Sequence, residues 1–260
     1  MFIPPRVLAQ SDRDRGGGGV AGKRRRMSDW ILEHTEPYTQ KPYIFYAAFL
    51  DQEVINKLEE DHEIPSLMEI TAMPAAHFRS GRSWEKLREE RPKLAEAVEA
   101  SPLAVALHGS LMQHESLQYL KDSLTVMGSL LRHGAVAVYD PITQTWYGPA
   151  EWISNETFNP FDHVTTLSAP NGDGGRQLST RGLRKFGRPD LTVHEVAESE
   201  IAETQRPLDH LIDRLARGGV LTEGEPIIGE GWQAVPGAVQ GGLDDPEFHN
   251  FYQTVALSRT

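Results

Sequence analysis

Apolar and polar positions alternate in distinct blocks along this chain, and each block predicts an element. The run YIFYAAFL, Tyr43 to Leu50, is aromatic and apolar and too short for a buried helix, so it reads as a core strand. Asp51 then stands where a helix cap belongs, followed by Val54, Ile55 and Leu58 at helical spacing. Residues 64–78 hold Pro65 and Pro74 and read as loop, with a short strand over 67–72. Ser83 to Ala100 carries Trp84, Leu87, Leu94 and Val98 on one side, a helix that Pro92 should break near Glu90. LAVALHGS, 103–110, is a second buried strand. Leu117, Leu120, Leu124, Met127, Leu130 and Leu131 then mark an amphipathic helix that Gly134 closes, and AVAVYD, 135–140, is a third strand.

Beyond residue 150 the pattern changes. Strands at 163–167 and 176–180 flank the turn-forming cluster NGDGG, 171–175, which predicts an antiparallel hairpin. A strand at 191–196 precedes a helix over 198–217 built on Ile201, Leu208, Leu211, Ile212 and Leu215 and stopped by Gly218 and Gly219. The remainder is rich in Gly and Pro until a last strand over 251–257. Strand, long helix, strand argues for a parallel pair in the first half. The expectation is therefore an α+β fold: mixed sheets with parallel β-α-β units in the first half, an antiparallel hairpin in the second, and helices packed on the sheet.

Composition refines this picture. Residues 1–26 hold Arg6, Arg13, Arg15, Lys23, Arg24, Arg25 and Arg26 against Asp12 and Asp14, plus the glycines Gly16 to Gly19. That composition predicts a disordered basic leader, followed by one α+β domain over 27–260 that divides, if at all, into 27–150 and 151–260. The leader's excess of five positive charges leaves residues 27–260 at -16, against -11 for the whole chain. An acidic body opposes nucleic-acid binding, which rests on phosphate attraction. No cysteine is present, which excludes disulfides, thiolate metal sites and a Cys nucleophile and fits a cytoplasmic location. The chain offers no run of about 18 apolar residues, so no membrane helix is expected.

Against that acidity, TRGLRKFGRPDL, Thr180 to Leu191, gathers Arg181, Arg184, Lys185 and Arg188 between Gly182, Gly187 and Pro189. Arginine presents a planar fork suited to carboxylate or phosphate, and the glycines permit close backbone approach. Either these cations hold carboxylates of the fold, with Asp190, Asp244 and Asp245 among the many available partners, or they hold an external anion. Neither GxxxxGK[ST] nor GxGxxG is present, so this is no known phosphate loop.

His108, His114, His133, His163, His194 and His249 are scattered singly, without HExxH or a tight His-x-His pair. Neither a metal site nor a cofactor is expected. Asp140 closes a strand, a place where open α/β sheets put ligands. LDDPEFHN, 243–250, reads as turn chemistry or as a carboxylate pair in a cleft, and His163 or His249 would have to join it for acid–base work. A GxSxG elbow is missing, with Ser110 in HGSL only a faint echo, so no catalytic residue is assigned. Trp146, Tyr147, Trp152 and Phe158 suit either a lid or the core.

HGSL, GAVAVYD, WYGPAEW, TRGLRKFGRPDLTVHEV and LDDPEFHN together resemble a bacterial family of domains of unknown function, over roughly residues 101–257. The resemblance singles out Thr180, Arg181, Lys185, Phe186, Gly187, Arg188, Pro189, Asp190, Asp244, Asp245 and Pro246 and brings no reaction with it. The resulting expectation is a soluble, non-catalytic binding or interaction module. Arg181, Arg184, Lys185, Arg188, Asp244 and Asp245 would form the contact surface for an anionic small molecule or a protein partner. The alternative is a hydrolase or phosphotransfer-type enzyme acting on an anionic substrate.

Overall fold

A computed structural model describes residues 30–37, 39–51, 53, 68–111, 116–154, 156–171, 174–224, 226–227, 232–236 and 254–259. The basic leader, the helix expected after Asp51, His114, and the LDDPEFHN segment with Asp244, Asp245 and His249 lie outside these residues.

The described chain forms two sheets with four helices. The first sheet comprises β1 (Tyr43–Leu50), β2 (Glu69–Pro74), β3 (Leu103–Ser110), β4 (Ala137–Asp140) and β5 (Thr145–Tyr147), in the order β2-β3-β1-β4-β5. Helices α1 (Gly81–Glu90) and α2 (Pro92–Ala100) follow β2, and α3 (Gln118–Arg132) links β3 to β4. The predicted long helix is thus two, broken at Arg91 because Pro92 has no N–H to continue the ladder and instead starts α2.

The parallel pair expected in the first half does not form as such. β1 lies between β3 and β4 and runs antiparallel to both, so β3 and β4 point the same way without touching, and α3 crosses over β1 to join them. The physical reason is the composition of β1. With Ile44, Tyr46, Ala47, Ala48, Phe49 and Leu50 all buried, it has apolar side chains for both faces and takes the centre of the sheet.

The second sheet comprises β6 (Thr165–Pro170), β7 (Arg176–Arg181), β8 (Asp190–Val196), β9 (Pro226–Ile227), β10 (Trp232–Pro236) and β11 (Thr254–Arg259), ordered β6-β7-β8-β11-β10-β9. The expected hairpin is β6/β7, antiparallel from Thr165↔Arg181 to Pro170↔Arg176. A hydrogen-bonded parallel pair occurs here, β8 with β11, on either side of α4 (Ile201–Ala216) in sequence. The short strands β9 and β10 arise in a stretch whose Gly and Pro content hides any period.

Alternation along β1 sends its two faces into two cores. Phe49 and Ala47 pack with Tyr139, Trp146, Phe78, Trp84 and Leu87 beneath α1 and α2. Ile44, Tyr46 and Leu50 face α3 and join a larger cluster that takes in Leu178, Leu191 and Val193 of the second sheet and Leu208 and Leu211 of α4. One continuous apolar cluster therefore connects both sheets. Trp146 stacks on Tyr139, centroids 4.2 Å apart, and donates from Nε1 to Ser83 at 2.8 Å. Trp152 donates to the Leu124 carbonyl at 3.2 Å. Trp146 and Phe158 are core residues, and the half-buried Tyr147 and Trp152 pack against the larger cluster. Among the described residues no helix is long and apolar enough to cross a membrane.

Candidate functional site

The cationic segment connects β7 to β8 and is shaped by its two glycines. Gly182, with φ of 126°, enters a 3-10 turn over Leu183–Phe186, and Gly187, left-handed with φ of 67°, leaves it. A Cβ on Gly182 would lie 2.2 Å from the His163 carbonyl oxygen, so only glycine permits this approach. The turn buries Leu183, Lys185 and Phe186 and leaves Arg184 on its outer side, half-buried.

Each cation meets a different partner. Lys185 is 0% exposed; its ammonium donates to the Asp140 carboxylate at the end of β4 and to the His163 carbonyl at 3.1 Å, and lies 5.3 Å from the Tyr46 ring centroid. Burial pushes its pKa down, while Asp140 beside it acts to hold the charge. The Lys185 carbonyl accepts from Tyr119 of α3 at 2.7 Å. Asp140 does double duty: its Oδ1 accepts from the N–H groups of Ile142 (3.0 Å) and Thr143 (3.3 Å), fixing the β4–β5 turn. Strand-end Asp140, a place where sequence logic puts ligands, is thus engaged in a salt bridge between the two sheets.

Arg188, also 0% exposed, works on main chain. It donates to the carbonyls of Glu36 (3.0 Å), Pro37 (2.8 Å) and Gly218 (2.5 Å). A strap ahead of β1 is thereby tied to the end of α4, where the N–H groups of Glu33 and His34 also bond the Arg217 carbonyl. Arg184 stacks over the Tyr43 ring, 4.6 Å from its centroid, and Arg181 ends β7 as a half-buried side chain. Partial burial lowers the Arg184 pKa.

Asp190 is 2% exposed and accepts from Thr180 Oγ1 (2.9 Å) and the Leu183 N–H (3.2 Å). Burial raises its carboxyl to about 6, against opposing pulls from these hydrogen bonds and from Arg181. An acid whose pKa is raised in the fold favours the folded state when protonated. Its contribution is full below about pH 4 and is lost as pH rises through about 6. Asp190→Asn should therefore gain about 3 kcal/mol relative to the parent between pH 4 and pH 7.5, read from urea melts at both pH values. A difference independent of pH would refute this titration.

His163, expected as an acid–base candidate, is 1% exposed among Phe158 (stacked, 5.8 Å), Trp30 (6.1 Å) and Phe186 (6.1 Å). Burial, and then the neighbouring Lys185, push its pKa well below the usual value. The other described histidines that the sequence singled out are dispersed: His108 lies against Phe45, His133 bonds the Ser129 carbonyl at the end of α3, and His194 is exposed on β8. Among the described residues no group of three or more His, Asp or Glu could hold a metal ion.

Of the expected contact residues, Arg181 ends β7 and Arg184, Lys185 and Arg188 stand in the connection to β8, where Lys185 and Arg188 turn inward. Asp140, Tyr46 and Tyr119 were missed as partners. The one signal for them was that the AVAVYD strand ends on a carboxylate. No protein-family model, no curated protein and no solved structure matches this chain.

Proposed function

We propose that this protein is a soluble cytoplasmic binding or interaction module, non-catalytic, of the bacterial domain type that its TRGLRKFGRPDL and LDDPEF segments resemble. The observation that carries this reading is the division of labour within the cationic segment. Lys185 and Arg188 are wholly buried on the protein's own carboxylate and carbonyls, while Arg181 and Arg184 remain half-buried, part of each side chain at the surface. The inner pair anchors the backbone from which the outer pair projects, so the outer guanidinium groups are held in place before any partner arrives. Their chemistry suits a carboxylate or phosphate, on an anionic small molecule or an acidic protein surface. The alternative of a hydrolase or phosphotransfer-type enzyme gains nothing from His163, which is 1% exposed and enclosed by aromatic rings.

The test is a thermal-shift titration with inorganic phosphate, nucleotides and Glu-rich peptides on the parent and on Arg181→Ala/Arg184→Ala. A ligand at about 100 times its Kd should stabilise the parent by about 2.7 kcal/mol and leave the double variant unchanged. Stabilisation retained in the double variant would place the contact elsewhere, and silence of every anion would end the small-anion half of the reading.

A further inference from the structure

We propose that His163 is an acid-released latch, whose protonation opens the seam between Trp30, Phe158 and the Leu183–Phe186 turn. The imidazole is enclosed by three aromatic rings, and neither ring nitrogen has a hydrogen-bond partner among the described residues. A neutral ring tolerates such an enclosure, whereas an imidazolium carries two strong donors and a full charge that it must share with acceptors or water.

The charged groups around it offer no relief. Lys185, from the turn, is bonded to the backbone carbonyl of His163 itself and presents a like charge. Arg217, beyond the end of α4, lies over the Phe158 ring at 5.5 Å and presents another. The acids nearby already have partners: Asp140 of β4 holds Lys185, Asp213 and Glu33 hold Arg217, and Asp162, next to His163 in its own turn, accepts from Asn159 at 3.0 Å. A proton on His163 is therefore best solvated by moving the ring out of the seam. Because His163 O sits against Gly182 and on Lys185, that movement loosens the turn and the buried ion pair together.

The sign follows from the same environment. A histidine kept neutral in the closed state stabilises it fully above the ordinary histidine pKa of about 6.5, and that contribution drains away as pH falls below this value. Asp190 titrates with the opposite sign, and comparing parent and variant, which both retain it, cancels its effect.

The experiment is amide hydrogen exchange at Lys185 and Arg188, whose N–H groups bond the carbonyls of Gly182 (2.9 Å) and Leu183 (3.2 Å), between pH 7.5 and 5.5. Protection in the parent, taken as a ratio to that in His163→Phe so that the shared Asp190 titration cancels, should fall by up to about tenfold per pH unit below about 6.5. His163→Gln carries the same expectation should the Phe variant fail to fold. Ring NMR of His163 in the parent adds a readout that needs no variant: the closed form should keep a neutral imidazole through this range. Matching pH profiles in parent and variant, or a His163 that titrates normally with the seam still protected, would overturn the proposal.

Discussion

Lys185→Met should lower the free energy of unfolding by roughly 3–5 kcal/mol, the cost of leaving one member of a buried ion pair without its partner. Lys185 and Asp140 are both 0% exposed by side chain, so removing the ammonium leaves a buried carboxylate without its counter-charge. The two residues also belong to different layers, Asp140 at the end of β4 in the first sheet and Lys185 between β7 and β8 of the second, so the loss falls on the join between sheets. Asp140→Asn removes the charge but keeps an oxygen for the N–H groups of Ile142 and Thr143. The double variant Lys185→Met/Asp140→Asn should consequently recover much of what Lys185→Met loses. Urea melts of the four proteins at pH 7.5 give the coupling directly. Additive losses, or a Lys185→Met cost below about 1 kcal/mol, would show that the pair contributes little.

Arg188→Ala is expected to cost roughly 3 kcal/mol, since it strips donors from three carbonyls in two separate segments. Arg188→Lys should recover only part of this. An ammonium is a point charge, whereas the guanidinium spans Glu36 and Pro37 on one side and Gly218 on the other in a single planar fork. The loss should be local as well as global: exchange of the Glu33 and His34 amides, bonded to Arg217 O, should accelerate more than that of β1. Full rescue by Lys would mean that positive charge, rather than the fork, is what the strap requires.

Four cations within eight residues of an acidic chain mark a special place, and that much follows from the sequence because charge is a property of composition. The choice between internal carboxylate and external anion does not, since it depends on which groups lie opposite. The structure adds a partner outside that choice: Arg188 is held by main-chain carbonyls, which carry no sequence signal at all. Lys185 finds Asp140 across a separation of 45 residues, a pairing that only the packing of the second sheet against the first creates.

What the sequence determined by itself is the local element content: the three apolar strands β1, β3 and β4, the break at Pro92, helices α3 and α4, and the β6/β7 hairpin. Those follow from side-chain period and from the backbone limits of Gly and Pro, which act within a few residues. Only the tertiary structure decided that β1 separates β3 from β4, that the parallel pair is β8/β11, and that the cationic loop divides into a buried anchor and an outer pair. Strand order and ion-pair choice are settled by which faces can be buried together, and that is a property of the whole chain.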